Sequence, residues 1–546
     1  MSKPTLSRWC SRAANPRACS RREEVRRRIA GALAAVLTAG LALAGCAADQ
    51  GSTQAPGGNQ TPGDTQPPAA EQVLRFGFSS EPPRPSTFGG TGSTVSYQLY
   101  GLMHRGLMTY SGKGEVVPAL AETVEQVDSL TYKFMLHDGL TYHDGTPLVA
   151  DDVRAALLWY ADPANSARSY PGVRFIKDIA IASDTEFTIT LNSVNLSFLE
   201  YLADPSAFIV PQNQLSADVE ATNGAGPFKL ESWDEGVGLV LTKFDGFYGA
   251  DDVTLDRIDV SFYSDATARV NALLSGDVDF IDYVPWESYD QLEASGFVVH
   301  GEVGVFQSAI FNVETGPFAD PKLRLAVAYA LNRENATAAA FFGHGTSLFG
   351  VPGSGPTGEN LWEYNPERAK ELLAEAGYAN GGPKVHLLSN STYVFLRDLA
   401  LSVQADLEAV GFEVEFTSPD WPTFTEEAVA GKYDVTVQGN VGNVQDPAGW
   451  LPRLVQPRPE ANKSFGYSNA DLDAALAEAL AAEDAGARQA ALDRAYKLIG
   501  EDVPFATINQ RMQAYAYTDR VSGFEVMLGF TQPYSVNNLI NVTITG

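Results

Sequence analysis

The sequence predicts an α/β fold, built in layers from strands and helices that alternate along most of the chain. Two observations carry that expectation. Short runs of period-two hydrophobicity are separated by longer stretches with helical spacing and with helix start and stop residues. Apolar residues make up 45% of the 546, with 28 Phe and 22 Tyr, so a large core is available. No repeat of 20–50 residues is apparent.

A leader precedes the folded part. A segment rich in basic residues, Arg21 to Arg28, is followed by an apolar run from Ile29 that ends Leu43-Ala44-Gly45-Cys46. A charged start, an apolar middle and small residues at the end make an export signal. The run is about 16 residues, short of the ~20 that span a bilayer. Leu43 to Cys46 resembles a bacterial lipobox, which implies cleavage before Cys46, a diacylglycerol on its thiol and a protein held outside the cell. An ordinary helix or signal anchor with an incidental Cys46 is the other reading. Residues 46–72 are Gly, Pro, Gln, Thr and Ser with almost no apolar side chain, a disordered tether. Such a chain averages roughly 25–30 Å end to end.

Nine of the 38 basic and two of the 67 acidic side chains lie in residues 1–45, so the remainder carries a formal charge of −36. That acidity repels nucleic-acid phosphates and disfavours lying on an anionic membrane. Contact with the membrane is therefore expected through the N-terminal lipid only. The three cysteines are Cys10, Cys19 and Cys46. With the first two removed and the third acylated, no disulfide, thiolate nucleophile or Cys-ligated metal is expected.

Taken in order, Val73 to Phe78 reads as a strand and residues 79–85 as a rigid exposed loop. Residues 97–107 read as a helix with Leu99, Leu102 and Met103 apolar. In 130–136, alternation puts Tyr132, Phe134 and Leu136 on one face. Asp138-Gly139 and Asp144-Gly145 are turns, and a helix begins near Ala150 with Asp151 and Asp152 at its positive end. Residues 184–191 alternate again, with Phe187, Ile189 and Leu191 in phase. Residues 257–260 form a strand, and the helix 268–275 stops at Gly276. Asp320 and Pro321 suit the cap and first position of another helix. Asn365, Pro366, Glu367 and Gly377 bracket a further one. A helix over 397–410 ends at Gly411 and feeds a strand over 412–416. Residues 489–498 form the last long helix.

Residues 136–153, Leu-His-Asp-Gly-Leu-Thr-Tyr-His-Asp-Gly-Thr-Pro-Leu-Val-Ala-Asp-Asp-Val, resemble the signature of the extracytoplasmic solute-binding proteins, family 5, of peptide and nickel ABC importers. Two positions depart from it. His137 replaces an arginine, and Val149 replaces a Ser or Thr that would cap the helix, a loss of about 1 kcal/mol. Gly224-Ala225-Gly226-Pro227-Phe228 and residues 317–333 are similar to further family segments in the same order, so the resemblance spans about 73–546. It implies a two-lobed, type II periplasmic-binding-protein-like fold with a hinge between the lobes. Lobe I would comprise 73–106, 212–308 and 514–546, with an inserted subdomain over 107–211. Lobe II would be 309–513, with crossings near 308 and 513.

The sequence carries no Gly-x-Ser-x-Gly, no His-Glu-x-x-His and no Walker loop. Six histidines lack metal spacing, and His137-Asp138 and His143-Asp144 read as parts of Asp-Gly turns. No cofactor and no catalytic residue is expected. A binding cleft needs aromatic walls and a few placed polar groups. Trp421-Pro422-Thr423-Phe424 resembles the family's Trp-x-Thr-Phe, whose Trp faces the ligand; a place in the lobe II core is the alternative for Trp421. The family's peptide binders hold the α-ammonium with an Asp four residues before a Pro, the place of Asn443 here. Either Asp446 substitutes, or the solute is not a simple peptide with a free N-terminus, since a neutral amide forfeits a charge-assisted bond of roughly 1.5–3 kcal/mol. Phe88, Thr91, Asn312, Phe465 and Tyr467 are further candidates, each with a loop or core role as the alternative. The resemblance implies a monomeric, lipid-anchored importer component that carries a small peptide-like solute to a permease with ATPase subunits. A secreted hydrolase or a sensory lipoprotein using the same cleft are the other classes considered.

Overall fold

The computed structural model describes residues 71–82, 94–216, 222–440, 445–456 and 464–545. The leader, Cys46, nearly all of the expected tether, Phe88, Thr91 and Asn443 lie outside them. Among the described residues no helix is long and apolar enough to cross a membrane.

An eleven-stranded mixed sheet organises the fold. In chain order its strands are β1 (Val73–Phe78), β2 (Phe228–Asp234), β3 (Gly238–Lys243), β4 (Arg257–Phe262), β5 (Phe280–Ile281), β6 (Val298–Phe311), β7 (Gly345–Ser347), β8 (Lys384–Leu388), β9 (Glu413–Thr417), β10 (Val435–Asn440) and β11 (Phe505–Tyr517). Their order across the sheet is β9-β8-β10-β6-β11-β5-β1-β4-β3-β2, with β7 on β11. Two groups of parallel strands result: β1 between β4 and β5, and β8 between β9 and β10. The long antiparallel pair β6–β11 joins them. Val298–Val303 lies against Met512–Tyr517 on the side of β5, and Phe306–Ile310 lies against Phe505–Gln510 on the side of β10. Between the two stretches the register slips at Val303/Phe306, where Gly304 accepts from Gln510 Nε2 at 2.6 Å. A bulge of this kind sharpens local twist and bend.

A second, antiparallel sheet has the strands Ala121–Asp128, Thr131–Leu136, Glu186–Leu191 and Ile176–Ile181 side by side. Tyr132, Phe134 and Leu136, and Phe187, Ile189 and Leu191, are all buried on its inner face, as their alternation predicts. Phe134 stacks on Phe187 at 5.3 Å.

The helix signals act as expected. Asp320 accepts from Lys322 N at 2.9 Å and Asn365 from Arg368 N at 3.0 Å, each capping a helix whose first residue is proline. Gly276 and Gly411 close their helices with positive φ. The helix Ala150–Ala161 shows what Val149 costs. Asp152 accepts from Val149 N at 3.1 Å, but the Val149 side chain returns no bond. Val149→Thr is expected to raise stability by about 1 kcal/mol, read as a higher melting temperature.

The two most distinctive sequence segments meet. Gly224 N–H donates to His143 Nδ1 at 3.3 Å, His143 N–H to Gly224 O at 2.8 Å, and His143 Nε2 lies 3.2 Å from Gly226 O. The acceptor at Nδ1 places the ring proton on Nε2. Burial lowers the pKa of His143 to about 4, so the ring is neutral at pH 7. Asp144 Oδ1 accepts from Thr146 N and Oγ1 at 2.9 and 2.6 Å, which is turn-making.

Two large apolar cores result. One holds β1, its neighbours, the second sheet and the C-terminal segment; the other holds Val270 to Leu292 and most of 305–516. A small third cluster contains Leu388, Phe424, Ala428 and Tyr433.

Candidate functional site

In open α/β sheets, ligands bind outside the carboxyl ends of the strands. Here the segments leaving those ends in both strand groups approach β11. Tyr283 and Trp286 follow β5, and Tyr393 and Phe395 follow β8. The Arg511 guanidinium lies 5.1 Å from the ring of Tyr283, 5.7 Å from Trp286 and 5.1 Å from Phe395. Trp286 packs edge-on against Phe395 at 5.4 Å. Tyr393, 42% exposed, meets Phe395 at 6.0 Å and Trp421 edge-on at 5.4 Å. An aromatic path therefore runs from Trp421 to Arg511.

Trp421 is held by its loops. Ser389 N donates to Thr417 O at 3.0 Å, Ser391 N to Pro419 O at 2.7 Å and Trp421 N to Thr392 Oγ1 at 3.0 Å. Asp420 caps the helix Trp421–Val429 by accepting from Thr423 N at 3.1 Å. The half-buried indole stacks on Phe424 at 5.3 Å, at the margin of the small third cluster and in neither large core. Phe465 belongs to the same cluster, and its ring lies over Gly431.

Three of the expected contacts are committed elsewhere. Asn312 Nδ2 donates to Gly431 O and Thr315 Oγ1, and its Oδ1 accepts from Glu314 N and Thr315 N. That uses the whole capacity of the amide, so Asn312 shapes a turn and has nothing to offer a solute. Tyr467 is buried and donates to Asp502 Oδ2 at 2.7 Å, a core role. Asp446 caps the helix Pro447–Val455 through Ala448 N at 3.0 Å, accepts from Ser197 Oγ and pairs with Arg488. Its charge is already matched, so it does not serve as a substitute ammonium anchor.

Residues that the sequence reading missed carry a cluster of unpaired polar atoms, one of several sets of such atoms in the fold. Asn509, Arg511 and Gln513 alternate on one face of β11, and Gln307 pairs with Asn509 across the strands. Both side-chain polar atoms of Asn509 and Gln307, Arg511 Nε and Gln513 Nε2 are buried without a hydrogen-bond partner among the described residues. Native proteins leave few such groups, and each calls for a water or a ligand. The available signal was a lone arginine in an otherwise neutral strand.

Glu200 sits beside Asp446, on the helix Phe198–Ala203, and accepts from Gln445 N. Burial, with the charges of Asp446 and Asp204 adding to it, pushes its pKa up to about 7 from 4.5. The folded protein then holds a proton that the unfolded chain has released, so stability falls as pH rises from 4.5 to 7. The shift corresponds to roughly 3–4 kcal/mol at most, at about 1.4 kcal/mol per unit. Glu200→Gln keeps an acceptor for Gln445 and removes that loss. Its melting temperature is expected to match the native protein below pH 4.5 and to exceed it at pH 8; parallel pH curves would refute this.

No group of three or more His, Cys, Asp or Glu able to hold a metal ion occurs among the described residues. Residues 115–462 match the family model described as "Bacterial extracellular solute-binding proteins, family 5 Middle". The chain is 27% identical over 473 residues to the glutathione-binding protein GsiB of Pectobacterium atrosepticum, covering 80% of this chain and 87% of that one. It is 32% identical to the periplasmic binding protein AgaA of A. tumefaciens R10, solved with agropinic acid; the match covers 87% and 99% of the two chains at a TM-score of 0.78. The peptide-bound DppA of Helicobacter pylori matches at 23% identity and a TM-score of 0.75, over 87% and 98%.

Proposed function

Because the chain belongs to the bacterial extracellular solute-binding proteins of family 5, we propose that it captures a small peptide-like organic solute between two lobes and hands it to the permease of an ABC importer, with energy from separate ATPase subunits. Members of this family are extracytoplasmic, non-enzymatic binding components of importers. The reading rests above all on the β6–β11 pair. It joins the two parallel-strand groups, carries a bulge midway, and bears the unpaired polar side chains where loops of both groups meet. Lobe I is 73–106, 212–308 and 514–546, the inserted subdomain is 107–211, and lobe II is 309–513. The bulge is the hinge, and a solute that binds the closed form better drives closure. Trp421 and Phe465 form one wall, and Phe88, Thr91 and Asn443 are further contacts. Lipid on Cys46 and the tether after it keep the monomer beside its permease.

With Asp446 occupied and Asn443 neutral, a free α-ammonium is not required of the solute. Four dipeptide mixtures test the reading on ligand-stripped protein: free or acetylated at the N-terminus, and acid or amide at the C-terminus. At least one mixture is expected to raise the melting temperature and shrink the radius of gyration, with the acetylated forms no weaker than the free ones. Four mixtures without effect would end the peptide-like reading.

A further inference from the structure

We infer that Arg511 binds a carboxylate of the solute, so that this protein selects organic acids over their amides; the inference rests on the solute-binding reading above. Arg511 is 7% exposed in the middle of β11. Its guanidinium donates to Tyr283 Oη at 2.7 Å and to Gln513 Oε1, both neutral acceptors, and its Nε has no partner. Two other buried arginines of this part of the fold are bound by backbone carbonyls, while Arg333 donates to the carbonyls of Thr507, Ala328 and Leu331 and leaves its Nη2 without a partner among the described residues. Arg324 is wrapped by the carbonyls of Phe318, Ala319, Asp502 and Val503. Arg269 has three carbonyls and, 3.8 Å away, the carboxylate of Asp282. A buried cation left with aromatic faces and neutral acceptors keeps its demand for an anion.

The surroundings are built to hold that cation in place. Tyr283 has a φ of +47°, a conformation that side-chain-bearing residues rarely adopt. Arg269 holds that backbone from behind, donating to Tyr283 O at 2.7 Å and Asp282 O at 3.1 Å. The hydroxyl that orients Arg511 is thus itself fixed. Two residues to either side on the same face, Asn509 offers both polar atoms of its amide and Gln513 its Nε2 to the polar atoms of a solute. Phe395 comes from the strand group opposite to that of Tyr283 and Trp286. Opening at the bulge lifts Phe395 away and uncovers the guanidinium. Closure then seals the carboxylate in a water-poor site, where a charge-assisted bond is strongest.

The four dipeptide mixtures also test this, because only the terminal carboxyl differs between acid and amide. The native protein is expected to bind the acids at least about tenfold more tightly. Arg511→Gln is expected to erase that preference, and Arg511→Lys to keep it at lower affinity, each judged on protein whose melting temperature without solute is near native. Tyr283→Phe serves as a milder variant: it removes the hydroxyl that orients the guanidinium and is expected to shrink the preference several-fold. Equal binding of acids and amides by the native protein overturns the role of Arg511 while solute capture stands. An acid preference unchanged in a folded Arg511→Gln protein overturns it too. No binding of any mixture removes both readings.

Discussion

Gly224→Ala is expected to destabilise the protein by about 3 kcal/mol or more, read as a melting temperature several degrees lower. A Cβ there would sit 2.0 Å from Met103 O and 2.5 Å from His104 Nδ1. At Gly226 it would sit 2.5 Å from Met103 C and 2.6 Å from His104 N. These obstacles are mostly backbone, which cannot rotate aside as a side chain can. The segment lies flat against the end of the helix Thr94–Met103, with Gly226 N donating to Met103 O at 2.9 Å. Its other side is stapled to His143. A shift large enough to admit the methyl group breaks bonds on both sides. A Gly224→Ala protein that melts like the native one would show that the contact is loose.

Trp421→Ala is expected to weaken solute binding about thirtyfold, the loss of roughly 2 kcal/mol typical of an aromatic anchor. Titration with whichever dipeptide mixture the native protein binds measures it. The indole is half-buried, so its removal forfeits the stack on Phe424 and the edge contact with Tyr393 but opens no sealed cavity. Stability should drop by only about 1–2 kcal/mol, well below the 3–5 kcal/mol of a buried Trp truncation. A large fall in melting temperature with affinity kept would make Trp421 a core residue after all. Affinity and stability both unchanged would remove it from the binding wall.

Local chemistry was legible wherever a residue's partners lie within a few positions. The helix Pro366–Glu375 follows from Asn365 and Pro366, and the end of the next from Gly411, a glycine able to take the positive φ it adopts. The alternation of Tyr132, Phe134 and Leu136 is that of a half-buried sheet. β6 and β11 were not legible. They are long and interrupted by bulges, and β11 is buried along most of its length, so neither gives a clean period-two pattern. Asn312 and Asp446 stand among the candidate contacts in sequence because part of what spends them, Gly431 for one and Ser197 and Arg488 for the other, is far away along the chain.

The sequence by itself determined the class of the molecule: α/β layers and a family whose motifs recur in order. Those properties rest on short-range patterns, namely caps, turns, periodicity and motif spacing. Only the tertiary structure decided which polar side chains are spent and which are left over. Asp446 is neutralised by Arg488, while Arg511 is enclosed by rings from two strand groups and meets no carboxylate among the described residues. The reason is physical. Whether a charge is satisfied depends on what the fold brings within about 4 Å of it, and those neighbours come from anywhere in the chain.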